Sequence, residues 1–464
     1  MRIAIGLVVL SDLIIRAQFI IAHYTSEGVL PVSLMMEFDY KPLHFSLHNL
    51  NDGLLWQSIL FIFHAIITLF LIFGWRTKLF SVLTWLFMVS LQNRNPYIQQ
   101  GGDDLLRLVL FWGMFIPWGN FYSLDSKSVN SISKKYFFSI SSIGYLLLIA
   151  SVYLFSALSK TSPEWRSEGT AVYYALSLDQ LKLGMGNWLY QFSGLMKLLT
   201  HFVFYSELIA PIFLLLPIKN KFFRTVGVLL ILILHVGIAL NLYVGLFCVI
   251  GMSSTLGLLP SSFMDWFERQ IKDSRLKIKD STYKSHVTKN NFTRFLKFSG
   301  TIFLGIVIIV CLLINLINVK GFGYKLNFKV GLFSNAFKLE QYWGMFSPFI
   351  YKNDGWYLFI GYKQDNSAWD IYNNKPGIDR AKPKSIVKMF ESDRWRKLAE
   401  NFEKREFNFM KPYYCRYLIK KWNKEHPDNK MGSLNILFMK EESLPDYKTK
   451  PVVEENKCLC TEEK

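Results

Sequence analysis

The apolar residues of this chain arrive in long blocks almost free of charge, and this restricts the folds open to it more than any other feature. Residues 54–75, 136–158, 198–217, 222–240 and 298–317 are such blocks, and their only Asp, Glu, Lys or Arg residues are Glu207 and Arg224. A helix rises 1.5 Å per residue, so about 20 residues cross a hydrocarbon layer of ~30 Å. Backbone in lipid must satisfy its own hydrogen bonds, which leaves helices as the reading for these runs. Blocks at residues 3–22, 79–91, 105–118 and 243–259 complete a set of eight or nine spans, with 79–91 and 243–259 the weakest members. The first block holds Asp12 and Arg16, which the apolar centre of a cleaved signal peptide would not tolerate; four positions apart, they share one helix face and can pair. The expected fold is therefore a polytopic α-helical membrane protein with about 8–9 transmembrane helices.

Charge supports this and suggests an orientation. The net charge of +18 comes from 53 Lys and Arg against 35 Asp and Glu, and the basic residues gather in connectors and in the C-terminal third. If the N-terminus is cytoplasmic, alternation puts Arg76/Lys78, Lys127/Lys134/Lys135, Lys219/Lys221/Arg224 and the basic connector 268–297 all on the cytoplasmic side, as the positive-inside rule expects. The 93–104 loop, the Lys160 segment and everything after residue 318 then share the outer face. Membrane orientation explains the charge better than nucleic acid, which is not an expected partner; the expected partner is the bilayer, whose anionic lipid the 268–297 connector would face. With no organelle signal, a bacterial plasma (inner) membrane is the expected location. Cys248 and Cys311 lie in apolar runs, Cys415 stands alone, and Cys458 and Cys460 read as incidental residues of a floppy terminus. No zinc or haem spacing occurs, so no metal is expected.

The chain divides into a transmembrane domain over 1–318, a small extramembrane α+β domain over 319–440 and a disordered tail over 441–464. Residues 170–197, with Tyr173, Tyr174, Trp188 and Tyr190, read as interfacial helices on the bilayer. The loop with Asn93, Arg94, Asn95 and Gly101-Gly-Asp-Asp104 reads as a tight turn. In the C-terminal domain, residues 355–361 alternate as a strand does and 394–405 read as a charged helix.

The chemistry points to Lys160. It follows an apolar run ending near Leu158, with Glu164, Trp165 and Arg166 just beyond. A lysine at that depth is partly desolvated, which disfavours its ammonium form, and Arg94 or Arg166 nearby would act in the same sense, making a free base. The same trio also suits an interfacial anchor, since Lys, Trp and Arg at a helix end snorkel to the headgroups. Glu207, His235, His201 and His64 are costly in hydrocarbon and must face partners or a cavity. His64 and His201 read as ties between helices, whereas Glu207 and His235, in adjacent spans, could tune a lysine or orient a polar ring substituent.

Several pieces together resemble the HTTM (horizontally transferred transmembrane) domain family, related to vitamin K-dependent gamma-glutamyl carboxylase. They are Thr25-Ser-Glu-Gly-Val-Leu-Pro31, Ser90-Leu-Gln-Asn-Arg-Asn-Pro96 with Gly101-Gly-Asp-Asp104, Ala157-Leu-Ser-Lys-Thr-Ser-Pro-Glu-Trp165, and Trp343-Gly-Met-Phe-Ser-Pro348 with Asp354-Gly-Trp356. The carboxylase carries its base in a Lys-Leu-Asp-Ala-Asp-Trp stretch, which Lys160, Glu164 and Trp165 match in spacing. The resemblance implies a lipidic quinol, vitamin K hydroquinone or a menaquinol, with O2 and CO2 as co-substrates and a protein or peptide acceptor. It implies Lys160 and Asn95 as catalytic and Asn93, Arg94, Glu164, Trp165, Glu207 and His235 as quinol-binding. The carboxylase reads Asn-Asn-His where this chain reads Asn93-Arg94-Asn95, and the histidine serves the glutamate half of the reaction. An asparagine exchanges no proton at neutral pH, so quinol oxygenation is better supported than carboxylation. A non-catalytic binding or assembly protein that keeps the scaffold is the alternative.

Overall fold

A computed structural model describes residues 1–128, 138–260, 262–263, 291–319 and 326–461. Lys134, Lys135 and most of the basic connector, 268–290, lie outside the described residues. The chain is mostly helical, with a small C-terminal sheet domain.

Each apolar block folds as a helix: α1 (Arg2–Ala17), α2 (Leu54–Phe73), α3 (Thr77–Arg94), α4 (Gly101–Gly113), α5 (Ile140–Ser159), α6 (Ser193–Leu215), α7 (Asn220–Asn241), α8 (Phe247–Thr255) and α9 (Asn291–Asn318). Five stretches are long and apolar enough to cross a membrane: α2, α5, α6, α7 and Phe298–Asn318 of α9. Their large side chains face outward, as Leu55 and Ile62 do on α2, Ile233 on α7 and Ile309 on α9. Such continuous apolar surface would drive aggregation in water but is matched by lipid tails. Helix α5 differs: 67% of its apolar stretch is buried, against 39% or less in the other four. It is the central post of the bundle, packed on α4, α6 and α9, while α7 packs on α6 and α8 and reaches α5 through His235.

Two local expectations change. Gly101–Asp104 is the first turn of α4 rather than a separate turn, because the Asp103 carboxylate accepts from the Gln100 backbone N–H at 2.9 Å and caps the helix. Helix α8 has 9 residues, about 14 Å at the helical rise, too short to cross alone. Even so, the segment runs between the two ends of the bundle, since Gly245 lies against Gln100 and Asp393 while Gly257 lies against Met1.

The C-terminal domain is an antiparallel sheet of order β3-β2-β1-β4-β5, with β1 Asn353–Tyr362, β2 Ala368–Asp370, β3 Lys375–Pro376, β4 Ser433–Glu442 and β5 Val453–Thr461. Alternation along β1 sends Trp356, Leu358 and Ile360 to one face, while Tyr357 and Phe359 go to the other, against helices α10 (Asp393–Phe402) and α11 (Lys411–Glu425). The segment expected as a disordered tail is instead β5, paired along β4 from Leu434↔Cys460 to Lys440↔Val453. Cys415 does not stand alone; it forms a disulfide with Cys460 that joins α11 to β5.

This domain is bolted to one end of the bundle. Arg394 of α10 reaches between α1 and α4, where its Nη2 meets Asp12 at 2.7 Å and Asp103 at 2.8 Å, and its Nη1 donates to the Ile98 carbonyl at 2.9 Å and to Asp103. Arg16 completes the ring, with Nε 2.7 Å from Asp12 and Nη2 2.5 Å from Asp103, while its Nη1 donates to Tyr24 Oη at 2.7 Å. Asp12 and Arg16 pair as their spacing predicts. Two arginines and two aspartates, all buried, balance to zero charge, and each charge meets two of the opposite sign.

Candidate functional site

The site grows from the exposed-end face of α5. Tyr153, Ser156 and Lys160 recur at helical spacing, so their side chains line one face of α5, the most buried of the five span-length helices. Lys160 caps that helix and is 3% exposed. Its Nζ donates to Ser156 Oγ at 2.7 Å and to the Glu207 carboxylate of α6. The Trp165 ring lies 4.8 Å from Nζ, placing a flat π face over the ammonium. Seven positions before Lys160, the Tyr153 hydroxyl lies 2.7 Å from His235 Nε2 of α7, and His235 Nδ1 is buried with no partner. Gly251 of α8 leaves room for this imidazole, since a Cβ there would strike the ring.

Lys160 is therefore not splayed to headgroups, and it meets Glu207, one of the two groups the sequence offered as able to tune a lysine. Arg166 touches only its carbonyl, through Nε at 3.0 Å, and Arg94 is engaged elsewhere. Glu207 supplies the counter-charge, because a lysine buried this deeply must be paired or neutral. Glu207 and His235 do not bond to one another; each meets a different residue of α5.

The loop beyond Lys160 anchors the site to the C-terminal domain. Pro163 opens the short helix Pro163–Arg166, after which Trp165 donates to the Phe346 carbonyl at 2.8 Å and Glu164 pairs with Lys352 at 2.8 Å. Burial, the largest single influence, would raise the Glu164 carboxyl, but the Lys352 hydrogen bond and charge together with smaller hydrogen bonds hold the group below its usual range; burial likewise opposes the Lys352 ammonium, and the Glu164 hydrogen bond and charge with its other neighbours raise it. Glu164 thus works as a strut. The resemblance's pieces around Trp343 and Pro348 come to the same place, although nothing in their composition announced it.

The Asn93–Asn95 loop lies at the same end of the bundle but in a different cluster. Asn93 Nδ2 donates to the Phe45 carbonyl at 2.8 Å, Asn95 Nδ2 to the His23 carbonyl at 3.0 Å, and Arg94 Nη2 to the carbonyls of Tyr24 and Leu30 at 3.0 and 2.8 Å. None of these bonds reaches Lys160 or Glu207. Asn93 instead lines a cavity of about 310 Å³ with Lys41, His44 and Lys338. Close by, burial first and then the charges of Arg94 and Arg16 push His48 down to about 4, against a Gln57 hydrogen bond that works the other way.

Sequence reasoning missed Ser156 and Tyr153, which α5's helical spacing from Lys160 could have flagged, and Lys352 and Arg394, which no local signal links to their partners. No family model, no curated protein and no solved structure matches this chain.

Proposed function

We propose that this chain is a multi-pass membrane enzyme of the kind its motifs resemble, in which the Lys160–Glu207 couple takes a proton from the hydroxyl of a lipidic quinol. The observation that carries this reading is the buried Lys160–Glu207 pair at the C-terminal end of α5, beside Trp165 and the Tyr153–His235 pair. A reduced quinone supplies an ionisable hydroxyl and, once anionic, a ring reactive toward O2. Two features support such a group: Trp165 sets an aromatic ring beside Lys160 Nζ, and His235 Nδ1 is an unfilled hydrogen-bonding position near a second polar pair. Lys160 can receive the hydroxyl proton as it passes one of its own to Glu207, leaving a protonated pair whose single positive charge faces the anion. Positioning of the couple falls to Ser156 and to the strut from Glu164 to Lys352. Glutamyl carboxylation is the weaker half of the reading, because Asn95 is committed to the His23 carbonyl and carries no exchangeable proton.

The reading includes eight or nine spans, a plasma membrane, a cytoplasmic N-terminus and an extracytoplasmic C-terminal domain. The odd number of crossings is supported by the α8 segment, which runs from the domain-bearing end back to Met1 and so lets α9 return. Orientation is supported by the basic connectors and by the Cys415–Cys460 disulfide, a bond that persists in oxidising compartments. A Lys384→Cys, Cys458→Ser chain should therefore react with an impermeant maleimide in intact cells, and reaction only after permeabilisation would reverse the map. For the chemistry, purified protein given reduced menaquinone or vitamin K should consume O2, and Lys160→Ala should lower that rate by the roughly 10²- to 10⁴-fold of a lost general base. An unchanged rate in the folded variant would leave the scaffold reading in front.

A further inference from the structure

Where the sheet meets the membrane bundle, three carboxylates gather that the quinol reading does not use. Asp354 of β1 and Glu441 of β4 are direct cross-strand partners, and Asp179, in the connection between the short helices Ala171–Ser177 and Gly184–Leu189, lies over them. One carboxylate oxygen from each lies within 4.8 Å of the other two. Like charges directly opposite on paired strands repel, and here both are buried, Asp354 at 1% and Glu441 at 7% exposure. Asp354 Oδ2 accepts the Asp179 backbone N–H at 2.5 Å, but its Oδ1 is buried with no partner at all. A buried carboxylate oxygen left unbonded in a group that also stands beside two other acids is a costly arrangement unless a cation completes it.

In this structure Lys382 takes part of that role. Its Nζ lies 2.7 Å from Asp179 and pairs with Glu441, while Lys182 holds the other Asp179 oxygen at 2.7 Å. Three carboxyl groups thus meet two ammonium groups, and neither ammonium bonds Asp354, whose carboxyl is pushed up to about 7 by burial and then by the Asp179 charge. Lys382 is the more replaceable of the two, since its side chain is 37% exposed and free to swing into solvent.

We propose that Asp179, Asp354 and Glu441 form a site for a hard divalent cation of the calcium type, with Lys382 as the resident ammonium that the cation displaces. Oxygen ligands of one calcium ion stand at most about 4.8 Å apart, twice the ~2.4 Å bond, and the three carboxylates fall within that limit. The carboxylates come from separate elements and leave positions for water, which suits the flexible, high coordination of calcium better than the strict octahedron of magnesium. The cation would pin the Asp179 connection to β1 and β4, and so tighten the seam beneath which Glu164 and Trp165 hold the Lys160 loop. The site depends on nothing in the quinol reading.

Trp356 makes a direct test available, because its ring centroid lies 5.8 Å from Lys382 Nζ and so beside the proposed ion. Full-length protein purified in detergent and stripped with chelator should show Trp-sensitised Tb3+ luminescence that saturates and that Ca2+ reverses. Asp354→Asn should weaken Tb3+ binding at least tenfold. Lys382→Met keeps every carboxylate and removes the competing ammonium, so it should tighten binding several-fold. Absence of sensitised emission, emission that Ca2+ does not reverse, or emission indifferent to Asp354→Asn would overturn the site. If Asp354→Asn fails to fold, Lys382→Met decides alone, and unchanged or weaker binding in that variant would overturn it.

Discussion

Two buried clusters of charge sit at the same end of this bundle, and they are built to different rules. In the ring of Asp12, Arg16, Asp103 and Arg394, every charge meets two opposite charges, and spare donors go to Tyr24 and the Ile98 carbonyl. Around Lys160, by contrast, one ammonium meets one carboxylate, and the neighbouring His235 keeps an unpartnered nitrogen. A saturated ring has no capacity left for a ligand or a proton; it can only hold things together. A single pair with open neighbours can change its bonding, which is what proton transfer requires. Saturation, more than burial, separates the staple from the site.

The comparison breaks first if the ring is not a staple. Arg394→Met leaves two buried aspartates facing Arg16 alone, and losing one partner of a buried ionic network typically costs about 3–5 kcal/mol. The variant should lose folded yield and release the C-terminal domain to limited proteolysis; normal thermal stability would contradict the assignment.

A slightly smaller effect comes from acid. His48 is held at about 4 against an ordinary 6.5, so the folded protein keeps it neutral while the unfolded chain takes up a proton. Stability from this group is complete above pH 6.5 and is lost as pH falls from 6.5 toward 4, on the order of 3 kcal/mol over the interval. His48→Phe should flatten that part of the profile. A variant whose melting temperature falls as steeply as the parent's between pH 6.5 and 4 would show that other groups carry the acid sensitivity.

The smallest stability effect belongs to the candidate site, and it sharpens the contrast. Replacing both members of a buried pair by apolar residues of similar size is often neutral, so Lys160→Met with Glu207→Met should stay within about 1 kcal/mol of the parent while abolishing quinol oxidation. A large loss of stability in the double variant would make this pair a second staple.

Much of the bundle was legible in the sequence because long apolar runs have few alternatives in a membrane: the blocks at 54–75, 198–217 and 222–240 appear almost unchanged as α2, α6 and α7. The bounds of helix α8 were not legible, since residues 243–259 carry no charge and their Ser253-Ser254-Thr255 run lies inside the helix rather than beyond it. Strand β5 was hidden for the opposite reason. Its Glu-Glu-Asn-Lys stretch looks solvated, and only pairing with β4 and the disulfide from α11 give it a place. Lys160 and Glu207 could each be picked out as costly charges in or beside a span. Their meeting could not, because it depends on how α6 rotates against α5. Nor did any local pattern connect Arg394 to Asp12, which lies 382 positions away.

The sharpest test of the contrast is quinol-dependent O2 consumption by purified Lys160→Arg. Guanidinium keeps the positive charge and can still bond Glu207, but it does not surrender a proton under these conditions. If the pair is a proton-handling site, the variant folds with the parent's melting temperature and its rate falls by at least ~10²-fold. If the pair only holds α5 to α6, arginine serves as well as lysine, and a folded variant that oxidises quinol at the parent's rate would contradict the account.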